Sequence, residues 1–104
     1  LTEDTVINTA AGFSFSYVCH NAECLNQKKT GDTYAMSMWL FDRLTKVGDK
    51  VRVLEYEQVT GAVKEYYIQI QENGTWNDFD YEGKGFDSGF WPAEAKISLQ
   101  VVKS

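Results

Sequence analysis

Apolar and polar residues alternate with a period of two through most of this chain, and that periodicity limits its folds more than any other feature. In "GFSFSYVC", Phe13, Phe15 and Tyr17 point one way while Ser14 and Ser16 point the other. In "TYAMSMWLF", Tyr34, Met36, Met38 and Leu40 share one face and Ala35, Ser37, Trp39 and Phe41 the other. Apolar residues on both faces predict a central strand there. The alternative, a helix over "MWLFDRLTK", is short and lacks a cap residue where one is needed.

"KVRVLEYE" and "VKEYYIQIQ" flank "QVTGA", whose Gly61 supplies a turn residue, so residues 50–71 read as a β-hairpin. Tyr66, Ile68 and Ile70 are expected inward there, against outward Tyr67, Gln69 and Gln71. "AKISLQVVKS" alternates again, with Ile97, Leu99 and Val101 expected inside. A short strand is expected around "DTVINTA", and "NQKKTGD" reads as a polar loop. The pattern predicts one all-β domain over residues 1–104, an antiparallel β-sandwich or small barrel of about six strands.

At 104 residues the chain is long enough for one core and not for two. A formal net charge of −5 argues against nucleic acid or an anionic membrane as partner, since either calls for a basic face. No apolar run approaches the roughly 18 residues of a membrane span. The two cysteines, Cys19 and Cys24 in "CHNAEC", suit a disulfide, which predicts a secreted, periplasmic or otherwise extracytoplasmic location. The missing initiator methionine at Leu1 agrees with a removed leader, or with a start inside a longer chain.

Function is expected to reside in "NGTWNDFDYEGKGFDSGFW", residues 73–91, with six aromatics, four carboxylates and four glycines in nineteen positions. A loop this long inside a small domain is commonly functional. Some of its rings should close the core. Sugar rings, however, offer apolar C–H faces and a rim of hydroxyls, which a flat exposed aromatic beside carboxylates and amides can receive. Trp76 next to Asn77 and Asp78 has that combination, and Trp91 near Asp87 repeats it, with Tyr81 and Tyr67 able to widen the platform. A carbohydrate-binding, lectin-like domain using Trp76, Asn77, Asp78, Tyr81, Asp87 and Trp91 is therefore the first expectation.

The alternative is a protein-binding antagonist, either a secreted-enzyme inhibitor or an immunity-type protein, using the same residues as anchors. Asp78, Asp80 and Glu82 at alternate positions before Gly83 match the first half of an EF-hand calcium loop, so calcium is a candidate cofactor. The match fails at its twelfth position, where Gly89 replaces the bidentate glutamate.

"CHNAEC" resembles a short stretch of a bacterial calcium-dependent galactose lectin, and "WNDFDYEGKGFDSG" resembles the acidic calcium loop near that family's C-terminus. The two segments cover about a fifth of the chain, and their distances from the termini differ from the family's. The resemblance implies lectin-like function without implying membership.

His20 is the only histidine and lies inside the Cys19–Cys24 ring. A Cys-His or Ser-His-Asp site would have only this imidazole to use, so no enzyme is predicted. A zinc site from Cys19, His20 and Cys24 would need a fourth ligand such as Asp32. Asn73 in "NGT" matches an N-glycosylation acceptor, but an Asn-Gly turn leaving the hairpin explains it better.

Overall fold

The computed structural model describes residues 1–59, 61 and 63–104. Its elements run α1 (Glu3–Ala11), β1 (Ser14–Phe15), α2 (Ala22–Lys28), β2 (Thr30–Gly31), α3 (Thr33–Lys46), β3 (Val51–Gln58), β4 (Lys64–Glu72), β5 (Thr75–Asp78), a single 3-10 turn (Ser88–Phe90) and β6 (Lys96–Lys103). The fold is mixed α/β and not the expected all-β sandwich or barrel. Four antiparallel strands form an open sheet in the order β5-β4-β3-β6, and β1 and β2 make a short parallel pair. Helix α3 packs on β3 and β4, and α1 and α2 pack on α3.

Two expected strands are helices. "TYAMSMWLF" belongs to α3, whose buried face includes Ala35, Met36, Trp39, Leu40 and Leu44. These positions recur at three- and four-residue steps, the helical repeat that lay hidden in a run apolar at both parities. Asp32 is the cap that seemed missing: its side chain accepts from the Ala35 amide at 2.9 Å. Arg43 and Lys46 occupy the last turn, where positive charge complements the helix dipole. "DTVINTA" forms most of α1, because Thr2 and Thr5 cap it reciprocally and Val6, Ile7 and Ala10 make one buried stripe. Within "GFSFSYVC" only Ser14 and Phe15 are strand. The expected polar loop at 26–32 holds the end of α2 and all of β2, with Lys29 left-handed (φ 65°) between them.

The β3–β4 hairpin is as expected, pairing Val51 with Ile70 through to Glu57 with Lys64. Thr60 and Ala62 of its turn lie outside the described residues. Asn73 and Gly74 both have positive φ (53° and 80°), as a two-residue turn from β4 into β5 requires. Tyr67, expected outward, is buried: the segment between β5 and β6 crosses that sheet face, and the Ala93 amide donates to the Tyr56 hydroxyl there. Ile97, Leu99 and Val101, expected inside, are 44–49% exposed. β6 is an edge strand and its register against β3 shifts twice, so its side chains do not alternate cleanly between core and solvent.

At the start of α1, the hydrogen bond Glu3 shares with Asp49 pushes its carboxyl up to about 7 from an ordinary 4.5. Burial and repulsion from Asp49, Asp4 and Glu72 push the same way. One Asp49 carboxylate oxygen is buried without a donor among the described residues, and a protonated Glu3 supplies one. A pKa raised by folding gives stability that is complete below pH 4.5 and is lost as pH rises through 7. The thermal midpoint should therefore fall between those pH values in the native chain. Glu3→Gln, which keeps an N–H donor at every pH, should flatten that decline in a melt series.

Candidate functional site

β5 is short and pairs only with residues 69–72 of β4. Further along, the β4 edge is completed by other groups. The Phe79 amide donates to the Ile68 carbonyl at 3.1 Å, and the Ile68 amide donates to the Tyr81 hydroxyl at 3.0 Å. The Tyr66 amide donates to Thr33 Oγ1 at 3.0 Å. Tyr81 is wholly buried, and burial pushes its phenol above the usual range. Phe79, Tyr81 and Phe86 meet edge to face, with centroids 4.8–5.4 Å apart. Phe90 meets Phe15 in the same manner at 5.6 Å. Four of the six rings in residues 73–91 are thus core.

Their burial decides what faces out. Asp80 and Glu82 flank Tyr81, and Trp91 follows Phe90, so the carboxylates and one indole are left on the surface. Asp78, Asp80, Glu82, Trp91 and Glu94 surround a shallow groove of about 390 Å³ floored by Phe79 and Tyr81. Trp91 is 39% exposed and its Nε1 donates to the Phe86 carbonyl at 3.0 Å, which fixes the indole beside the acids. Asp78 accepts from the Gln69 side-chain Nε2 and Asp80 from the Gly83 backbone N–H. The Glu82 and Glu94 side chains have no hydrogen-bond or ion-pair partner among the described residues, and no lysine or arginine lines the groove.

The expected site residues therefore divide. Asp78, Tyr81 and Trp91, with the calcium candidates Asp80 and Glu82, come together at this groove. Trp76 does not; the Arg52 guanidinium lies over its ring, 4.4 Å from the centroid. Asn77 lines an adjoining cleft with Glu3, Glu72 and Lys84, which shares Asp78, Phe79 and Asp80 with the groove. Asp87 is bound into the scaffold, accepting from the Phe15 and Gly89 amides, which hold its carboxyl below the usual range. Glu94 belongs to the groove and was not foreseen, since it lies beyond the aromatic run that marked the loop.

Among the described residues no three histidine, cysteine or acidic side chains converge closely enough to hold a metal ion. The Cys19–Cys24 disulfide is formed, so neither sulfur is a thiolate available to zinc. It fits an oxidising compartment. Among the described residues no helix is long and apolar enough to cross a membrane. Comparison of the chain with protein-family models, with characterised proteins and with solved structures found no match.

Gly89 is fixed by close approach: a Cβ there would fall 2.3 Å from the Phe15 ring. Gly89→Ala should destabilise the fold by about 1–3 kcal/mol through overpacking. A urea titration should show a lower midpoint at unchanged slope.

Proposed function

We propose that this chain is a non-catalytic, extracytoplasmic domain that captures or antagonises a partner protein by receiving its cationic side chains in the acidic groove. The observation that carries the reading is four carboxylates, two of them without partners, around one exposed indole and no lining cation. Carboxylates gathered around one groove without a lining cation attract an incoming lysine or arginine. The Trp91 face adds a cation–π contact of about 0.5–1 kcal/mol at an exposed site. Acids grouped on one surface also speed encounter with a basic partner.

A glycan at this loop would meet one stacking ring instead of two, because Trp76 lies under Arg52 and outside the groove. Calcium would need ligands closer together than these carboxylates are. The extracytoplasmic assignment rests on the disulfide.

Anisotropy of fluorescein-labelled octa-arginine tests the reading at low salt, where surface electrostatics are least screened. The combined Asp78→Asn, Glu82→Gln and Glu94→Gln variant should bind about tenfold more weakly. A control that removes the same charge elsewhere, at Asp4, Glu23 and Glu57, should change binding by less than about threefold. Equal losses in the two variants would reduce the interaction to net charge and sink the assignment of the groove.

A further inference from the structure

A second concavity lies away from the acidic groove, and its chemistry differs. The 14–20 segment runs beside β2, with the Ser16 amide donating to the Gly31 carbonyl and the Asp32 amide to the Cys19 carbonyl. This brings His20 against Asp32. One Asp32 oxygen caps α3 and the other bonds His20 Nδ1, so the imidazole is anchored to the start of the helix. His20 stacks on Tyr34 with centroids 4.9 Å apart and planes inclined by 22°. Tyr34 meets Tyr66 edge to face, also at 4.9 Å. Two adjoining clefts, of about 430 and 150 Å³, share Tyr34 and Tyr66 as walls. Together they fall in the roughly 300–1,000 Å³ range of small-molecule sites.

We infer that this trough is a binding site for a neutral saccharide. It has rings, with Tyr17 at its mouth 76% exposed. Its polar groups are mixed in sign: Asp32, Glu55 and Glu65 line it with Lys64 and Lys103. The carboxylates are already engaged. Glu55 accepts from the Tyr66 hydroxyl at 2.6 Å and Gln100 at 2.9 Å, with Lys64 at 3.4 Å, and Glu65 accepts from the Thr33 hydroxyl at 2.9 Å.

These bonds leave no carboxylate without a donor, unlike Glu82 and Glu94 in the other groove. What the trough still offers is a set of single donors and acceptors. Among the described residues His20 Nε2 and the Tyr34 hydroxyl have no partner, and engaged carboxylate oxygens keep spare lone pairs. Rings for C–H faces, with scattered donors and acceptors at low net charge, match a sugar's hydroxyl rim better than an ion. The site is also preorganised, since the disulfide, the Asp32 bridge and the Tyr66–Glu55 bond fix its walls before any ligand arrives.

The test is a chemical-shift titration of isotope-labelled protein with lactose, cellobiose and N,N′-diacetylchitobiose. Each is taken to about 20 mM, which is enough to saturate a millimolar Kd. At least one sugar should saturate shifts at His20, Tyr34 and Tyr66, and Tyr17→Ala should weaken it about fivefold. Tyr17 is too exposed for its loss to unfold the chain, so that variant decides the matter even where Tyr34→Ala proves unstable. Silence with all three sugars overturns the proposal. So do saturating shifts confined to the Trp91 groove, or a response to a polyproline peptide with none to the sugars.

Discussion

The hydrogen bond from the Ile68 amide to the buried Tyr81 hydroxyl anchors the loop that carries the acidic groove. β4 is long, and β5 covers only its far end. Beyond that point a buried N–H without a partner would cost about 1–3 kcal/mol, and among the described residues no further strand satisfies it. Tyr81 does so from inside the core, and Thr33 does the same for Tyr66. A side chain used in this way fixes its own backbone. With Phe79, Tyr81, Phe86 and Phe90 turned inward, Asp80, Glu82 and Trp91 have only the solvent side left to them.

The charge on that outer surface follows from the packing beneath it. Asp78, Asp80, Glu82 and Glu94 sit on a loop held down by aromatic burial, and no lysine or arginine lines their groove. The Tyr34–Tyr66 trough shows the opposite economy, with each carboxylate bonded to a neighbour and lysines interspersed. The charged groups lining the first surface are all carboxylates, whereas those lining the second include lysines as well. That contrast is the physical basis for reading the first as a receptor for cations and the second as a receptor for a neutral polar ligand.

The β3–β4 hairpin, the Asn73-Gly74 turn and the disulfide were legible because each rests on local chemistry: alternation, positive φ and close spacing. α3 was not. Residues 34–41 are apolar at both parities, so a period of two and a period near four fit equally, and the capping Asp32 stands two residues before that run. β6 was correctly a strand, but alternation cannot tell an edge from a centre, and at the edge Ile97, Leu99 and Val101 face solvent. The loop's acids and Trp91 were legible as a group, whereas the contact of Arg52 with Trp76 was not, because the two residues lie far apart in the sequence. The pairing of His20 with Asp32 spans twelve residues and a disulfide turn. Its one sequence hint was that Asp32 could join His20 at a shared site.

Acrylamide quenching of tryptophan fluorescence tests most directly whether the loop is core on its inner side and contact surface on its outer one. Trp39 is buried in α3, Trp76 lies under Arg52, and Trp91 is the exposed indole. Trp91→Phe should therefore remove most of the quenchable fraction, and octa-arginine should protect the native protein from the quencher. If quenching survives Trp91→Phe and disappears with Trp76→Phe, the loop is oriented differently and the acidic groove is not the contact surface.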